Sequence, residues 1–99
     1  MKIQETKNGN TLVLNLAGEL DLTGAPELTA YLEGRLGEPD GLELNLKEIT
    51  YLSSAGIRAI LAAHRAMGGR EFRVTGCNDL VYEVFEVTGL DEVLTIEKA

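Results

Sequence analysis

The sequence is poor in the residues that bind soft metals or form disulfides. It has one cysteine, Cys77, and one histidine, His64, among 99 residues. A lone cysteine cannot form an internal disulfide, and two such side chains are too few for a structural zinc site. We therefore expect no metal site in this chain.

Basic residues and long hydrophobic segments are also scarce. Nine Lys and Arg stand against 16 Asp and Glu, which gives a formal net charge of −7. Without a basic patch the chain is poorly suited to nucleic acid. Its apolar runs are only a few residues long, and Met1-Lys2-Ile3-Gln4-Glu5 has no hydrophobic signal core. We expect no membrane insertion, no secretion and a cytoplasmic location.

The length and composition fit one folded module. Ninety-nine residues suffice for one hydrophobic core but not for a catalytic domain together with a regulatory one. The chain has only two prolines, and 44% of its residues are hydrophobic, which argues against a disordered tail. We predict a single domain over residues 1–99.

Hydrophobic alternation predicts short strands. The turn Asn8-Gly9-Asn10 separates the N-terminal segment from an apolar strand over residues 11–17, which is typical of a hairpin. A period-two pattern then predicts a strand over residues 42–46. Two further short strands are predicted over residues 71–75 and 93–96.

Three helices are predicted between these strands. They span roughly residues 23–36, 54–67 and 78–89. Thr23 and Pro26 mark the start of the first helix and Gly37 its end, while Gly89 closes the third. The buried stripe of the third helix is predicted to consist of Leu80, Val81, Val84 and Phe85.

The order of elements predicts an α/β fold. Helices that separate successive strands imply right-handed crossovers and strands that are largely parallel. We expect a mixed, mostly parallel sheet of about five strands, preceded by an N-terminal hairpin, with the helices packed mainly on one side.

The junction at Ser53-Ser54, where a strand ends and a helix begins, is the most informative segment of the chain. The first turn of a helix presents unpaired N–H groups and the positive end of the macrodipole. It would therefore stabilise a phosphate carried on Ser54. Serine is also a preferred N-cap residue, and most caps serve stability alone. Both a capping role and a phosphorylation switch stay open.

Four short motifs lie along the chain in a specific order. They are Gly18-Glu19-Leu20-Asp21, Ala25-Pro26-Glu27-Leu28, Leu52-Ser53-Ser54-Ala55-Gly56-Ile57-Arg58 and Val84-Phe85-Glu86-Val87-Thr88-Gly89-Leu90. In this order and spacing they resemble a STAS domain of the anti-sigma factor antagonist (anti-anti-sigma factor) family, a class of bacterial partner-switching proteins. The resemblance covers nearly all 99 residues and implies the STAS fold.

The resemblance implies that Ser54 is the phosphoacceptor. The family motif, commonly written Asp-Ser-Ser/Thr-Gly, aligns Ser53 with the aspartate and Gly56 with the glycine. This chain departs from the motif, since Ser53 replaces the carboxylate and Ala55 replaces the second hydroxyl. Ser53 is the fallback acceptor. The implied partner-binding residues are Asp21, Ser53, Ser54, Ala55, Gly56, Ile57 and Arg58.

The resemblance also implies the partners. One is an anti-sigma factor that is an ATP-dependent serine kinase of the histidine-kinase-like ATPase fold, and the other is a PP2C-type phosphatase. The unphosphorylated antagonist would bind the kinase and release sigma factor, and phosphorylation would abolish that binding. ATP and magnesium would belong to the kinase, so the resemblance implies no cofactor on this chain. We also expect no catalysis by this chain. We expect the free protein to be a monomer.

The same residues bear on two other functions. Ser54, His64 and Asp21 contain the residue types of a hydrolase triad, but His64 lies ten residues along the same predicted helix, about 15 Å from Ser54. A STAS domain can instead bind without phosphorylation, as a scaffold or sensor subunit of a transporter or stressosome-like complex. The segment Gly76-Cys77-Asn78-Asp79-Leu80-Val81-Tyr82 resembles the STAS subunit of a lipid-transport ABC complex.

Two candidate site residues have a structural interpretation beside the functional one. Asp21 either forms an Asx-type turn before Thr23 or helps to shape the acceptor site. Arg58 either faces solvent or contacts a partner or a phosphate.

Overall fold

The computed structural model describes residues 1–99 as one five-stranded sheet with three α-helices. The strands are β1 (Lys2–Asn8), β2 (Thr11–Leu20), β3 (Gly41–Leu52), β4 (Glu71–Cys77) and β5 (Thr95–Lys98). The helices are α1 (Gly24–Leu32), α2 (Ser54–Ala66) and α3 (Asp79–Thr88), and a single 3-10 turn spans Leu90–Glu92.

The spatial order of the strands is their order along the chain, β1-β2-β3-β4-β5. β1 pairs with β2 antiparallel, and every other pair is parallel. Successive right-handed crossovers in one direction place their helices on the same face of a sheet. The predicted mixed α/β sheet with an N-terminal hairpin is confirmed, and the hairpin supplies two of the five strands.

The core lies between the sheet and the helices. The paired residues Leu14, Leu44 and Val74 form one fully buried row across β2, β3 and β4. The opposite face of the sheet carries polar residues in the alternate positions. There Asn45 donates to Asn15 Oδ1 at 3.1 Å, and its own Oδ1 accepts from the Lys47 backbone N–H at 2.9 Å. One face of the sheet therefore forms the core with the helices, while the opposite face is polar.

β2 and β3 are longer than predicted, because each continues past an irregular stretch of pairing. The register between them shifts between Asn15 and Ala17 and again between Gly18 and Glu19, after which Leu20 pairs with Leu52. These bulges interrupt the period-two alternation on which the prediction depended. β4 likewise ends at Cys77, two residues beyond its predicted end.

α1 ends one turn earlier than predicted, at Leu32 rather than Leu36. Glu33 leaves the helical region with a ψ of 123°, and Gly34 follows in the left-handed region at a φ of 78°. Leu36 is still buried, although it belongs to the turns after the helix. The spacing of Leu36 therefore reflects its burial and not a continuation of the helix. Gly37 does not end α1.

α3 begins and ends as predicted, but its predicted stripe is partly wrong. The Asn78 Oδ1 accepts from the Val81 N–H at 2.9 Å, and Gly89 closes the helix with a φ of 77°. Val81 and Phe85 are buried, whereas Leu80 is 74% exposed. Adjacent helical residues lie about 100° apart, so Leu80 falls outside the arc that faces the core.

The last strand lies two residues later than predicted. The N–H groups of Val93 and Leu94 donate to the Leu90 carbonyl at 3.1 and 2.8 Å, so both residues belong to a turn. Leu94 is buried by this turn, and β5 begins only at Thr95.

Candidate functional site

The ends of β2 and β3 meet at the serine pair. Ser53 follows β3, and its backbone N–H donates to the Leu20 carbonyl at 3.0 Å. The Ser53 hydroxyl donates to the same carbonyl at 3.1 Å. These two bonds hold the start of α2 beside the loop that follows β2, so Asp21 and the serine pair share one end of the sheet.

Ser53 is the N-cap of α2. It has the extended backbone of a cap residue, with a φ of −99° and a ψ of 175°. Its Oγ accepts from the Gly56 N–H at 3.4 Å while donating to Leu20. The capping interpretation is therefore confirmed for Ser53, whose hydroxyl is occupied in both directions.

Ser54 occupies a different position from its neighbour. It is the first residue of α2 and is exposed. Both side-chain hydrogen bonds of the pair are made by Ser53, which leaves the Ser54 hydroxyl free in solvent. The first turn around it provides N–H groups and the positive end of the helix dipole. Ser53 thus holds the start of the helix, whereas the Ser54 hydroxyl is accessible.

Asp21 caps the neighbouring helix. Its Oδ1 accepts from the N–H groups of Thr23 and Gly24 at 2.9 and 2.8 Å, whereas Thr23 makes no side-chain cap of its own. The Asx-turn interpretation is confirmed. The backbone N–H groups of Gly24 and Thr23 hold the pKa of the Asp21 carboxyl below its ordinary value.

We predict that Asp21 titrates below pH 3.8, the ordinary value for an aspartate. A lowered native pKa means that the ionised form stabilises the fold above pH 3.8, and that this contribution is lost as the pH falls through the native pKa. The Cγ chemical shift of Asp21, followed by NMR against pH, gives the midpoint directly. A midpoint for Asp21 at or above 3.8 would contradict the turn geometry.

Gly56 lets α2 approach the end of β2. A Cβ built on Gly56 would lie 2.4 Å from the Leu20 carbonyl oxygen and 2.8 Å from Leu52 Cδ1. Gly24 is equally confined, since its Cβ would lie 2.1 Å from the Glu19 carbonyl oxygen. At position 56, where the family motif has glycine, this fold therefore leaves no room for a side chain.

α1 and α2 form a shallow groove next to Ser54. Its lining includes Leu22, Pro26, Ala55, Arg58 and Ala62. Leu22, in the loop after Asp21, is 79% exposed. Sequence reasoning missed Leu22, although an apolar residue in a polar turn was an available signal. We call this surface the α1–α2 groove.

The predicted partner-binding residues divide between this surface and the interior. Ser54 and Arg58 are exposed, and Arg58 forms no salt bridge. Ala55 is half-buried in the groove. Gly56 is buried and Ile57 packs partly against the core, so these two residues shape the start of the helix from below.

His64 and Cys77 lie away from the serine pair. The His64 ring stacks at a tilt on Phe72, with 5.4 Å between the ring centroids. His64 is ten positions after Ser54 in α2, about 15 Å along the helix axis. Cys77 is buried, and burial raises the pKa of its thiol to about 11.

None of the three α-helices has the length and hydrophobicity that a membrane-spanning helix requires.

Residues 3–96 match the family model described as "Mlab, STAS domain". The chain therefore belongs to the STAS domain family.

Curated relatives of this chain are named as anti-sigma-B factor antagonists. The Listeria monocytogenes protein is 29% identical over 85 residues, which cover 83% of this chain and 75% of that protein. The Bacillus subtilis protein is 24% identical over 98 residues, which cover 97% of this chain and 90% of that protein. Both carry the name of a regulator that acts on an anti-sigma factor.

Solved structures share the fold. An anti-sigma factor antagonist from Mycobacterium paratuberculosis superposes with a TM-score of 0.90 at 21% identity, covering 99% of this chain and 86% of that one. The anti-sigma factor antagonist SpoIIAA in its unphosphorylated form superposes with a TM-score of 0.82 at 20% identity, covering 96% of this chain and 87% of that one. The expected STAS fold is thereby confirmed.

Proposed function

We propose that this chain is a phosphorylation-switched anti-sigma factor antagonist. With a free hydroxyl at Ser54 it binds an anti-sigma factor that is also a serine kinase, and this binding releases sigma factor. Phosphorylation of Ser54 abolishes the binding. The chain acts by binding alone and catalyses no reaction of its own.

One observation carries the proposal: Ser53 caps α2, whereas Ser54 is exposed and free. A kinase must reach the acceptor hydroxyl without unfolding the helix that carries it. At Ser54 it can do so, because no bond that holds the fold ends on that hydroxyl. At Ser53 it would first have to break the bonds to Leu20 and Gly56.

The fold tolerates a phosphate at Ser54. A phosphoserine carries about −1.5 to −2 charges at pH 7, and a negative charge in the first turn of a helix is favourable by about 0.3–1 kcal/mol. The protein that leaves the kinase would therefore keep its structure.

The adjoining surface explains why a partner would be lost. The α1–α2 groove beside Ser54 is lined mainly by apolar side chains, including Leu22 and Ala55. A partner packed over that groove would cover the Ser54 hydroxyl. Burying a phosphate there removes its hydration, which costs several kcal/mol unless it is compensated, and every 1.4 kcal/mol is about a tenfold loss in affinity.

Although Ser53 replaces the family aspartate, another carboxylate lies close to the site. Leu20, which holds Ser53 through two hydrogen bonds, is followed directly by Asp21. We propose that Asp21 is the acidic group on the acceptor side of the interface, while Ser53 keeps the capping role. Arg58, one turn into α2 and free of ion pairs, is proposed as a partner contact.

The proposed partners are a kinase of the histidine-kinase-like ATPase fold and a PP2C-type phosphatase that removes the phosphate. The kinase supplies ATP and magnesium, so the proposed role requires no cofactor on this chain. The curated relatives named as anti-sigma-B factor antagonists support this assignment. Such a system places the protein in the bacterial cytoplasm.

Phosphate mapping tests the proposal. The protein is incubated with its cognate kinase and ATP, and the phosphate is located by mass spectrometry. Serine occurs only at positions 53 and 54, so fragments that separate the two residues decide between them. We expect phosphate on Ser54 and none in Ser54→Ala. Phosphate on neither serine would refute the switch.

A second function, a STAS subunit that binds without being phosphorylated, is favoured by one observation. The matching family model carries the description "Mlab, STAS domain". Such a subunit would use the same α1–α2 groove as a permanent docking face in a transporter or stressosome-like complex. Under this alternative, Ser54→Asp would not release the partner and no kinase would modify the chain.

A further inference from the structure

A second apolar surface lies between the end of β3 and α3. It is lined by Tyr51, Leu52, Leu80, Val84 and Val87, and we call it the α3 groove. Tyr51, Leu80 and Val87 are 53%, 74% and 79% exposed. They are three of the five large apolar side chains that the protein leaves exposed. A contiguous patch of this kind on a small protein marks an interaction site more often than scattered apolar residues do.

The shape of the α3 groove suits a helix. Leu80, Val84 and Val87 occupy positions i, i+4 and i+7 and fall within about 60° of arc on α3. They form a stripe of two helical turns, about 10 Å long. The β3 residues Tyr51 and Leu52 provide the opposite wall. An amphipathic helix that offers apolar residues at the same spacing would fill such a groove.

The charge around the α3 groove specifies the occupant further. Glu83 lines the groove, and Asp79 and Glu86 continue the acidic side of α3 away from the core. No Lys or Arg occurs between Arg73 and Lys98, whereas six acidic residues do: Asp79, Glu83, Glu86, Asp91, Glu92 and Glu97. A second copy of this chain, with its net charge of −7, and an anionic membrane would both be repelled.

We propose that the α3 groove binds an amphipathic helix of another protein, whose apolar stripe is flanked by Lys or Arg. The apolar residues of that helix cover Leu80 and Val87, and its basic residues face Glu83 and Glu86. The lining of the α3 groove shares no residue with that of the α1–α2 groove proposed to contact the kinase.

Two synthetic peptides of 18 residues serve as probes. One has leucines along a single helical stripe flanked by lysines, and the other has glutamates in place of the lysines. We expect the lysine peptide to shift the amide resonances of Tyr51, Leu80, Val84 and Val87 in 15N-labelled protein. The glutamate peptide should leave them unchanged.

The matched variants separate groove recognition from general attraction to an acidic protein. Leu80→Ser with Val87→Ser keeps the net charge but removes the apolar stripe, and we expect at least about tenfold weaker binding. Val93→Ser, which removes an apolar side chain that is 64% exposed elsewhere, should bind as the wild type does. Thermal unfolding of each variant verifies the fold.

Four outcomes would overturn the proposal. The first is undiminished peptide binding by the double variant, and the second is a set of shifts that maps to another acidic surface. The third is self-association of the free protein through Leu80 and Val87, which would make a second copy the occupant. The fourth is binding to phosphatidylcholine vesicles that depends on the groove residues. Ser54→Asp should bind the peptide normally, so failure here is distinguishable from failure of the phosphorylation switch.

Discussion

Ser54→Asp is expected to weaken binding to the kinase-type anti-sigma factor by about 10- to 100-fold, equivalent to about 1.4–2.7 kcal/mol. The added carboxylate would have to be desolvated against the apolar partner surface over the α1–α2 groove. Ser54→Ala should bind as tightly as the unmodified protein and resist release by ATP. Titration calorimetry with the purified kinase domain measures both affinities.

Ser54→Asp should stabilise the fold even though it weakens binding. A carboxylate in the first turn of α2 is favourable, so Ser54→Asp should raise the free energy of unfolding by about 0.3–1 kcal/mol. Thr95→Asp, which adds the same charge on the exposed edge strand β5, is the matched control and should change neither affinity nor helix stability. If Ser54→Asp and Thr95→Asp bind the kinase equally well, charge at Ser54 does not control the interface.

Gly56→Ala is expected to lower the free energy of unfolding by about 3 kcal/mol. The new methyl group would lie 2.4 Å from the Leu20 carbonyl oxygen and 2.9 Å from Leu20 Cβ. Neither atom can move without shifting β2, so the start of α2 must move away from the sheet. Urea unfolding followed by circular dichroism measures the change.

Gly37→Ala is the matched control for this prediction. No atom lies within 4 Å of a Cβ built on Gly37, and its φ is not positive. The same substitution there should be neutral or stabilising by up to about 1 kcal/mol, because it restricts only the unfolded chain. Equal stability of the Gly56 and Gly37 variants would show that α2 does not approach β2 as closely as described.

The elements with local signals were predictable from the sequence. α2 was predicted to within one residue, because Ser53 caps its start and Gly68-Gly69 follows its end. The capping of α3 by Asn78 and its closure at Gly89 are also local effects. In each case the hydrogen-bonding group lies within four residues of the helix end that it satisfies.

The errors arose where burial depends on distant residues. Leu36 has helical spacing relative to Leu32, but it is buried by turns rather than by a continued helix. The predicted stripe of α3 includes Leu80, yet the core covers Val81 and Phe85 and leaves Leu80 exposed. Spacing along one element cannot reveal which arc of it the rest of the fold covers.

At the serine pair, the sequence does not reveal how the two hydroxyls differ in hydrogen bonding and exposure. The sequence predicts the serine pair and its local cap, but the Ser53 hydroxyl also donates to the Leu20 carbonyl, which no local pattern encodes. That bond joins residues 33 positions apart. Leu22 and the groove beside it depend on the packing of α1 against α2, which no local pattern encodes.

The strand order of the sheet has a consequence for how the protein is made. Because each strand lies beside the one that preceded it in the chain, a strand emerging from the ribosome finds its neighbour already synthesised. No strand has to be inserted between two that are already paired. Every crossover closes a short loop of similar length, so the entropy of loop closure stays small at each step. The sheet can grow from the hairpin outward, one strand and one covering helix at a time.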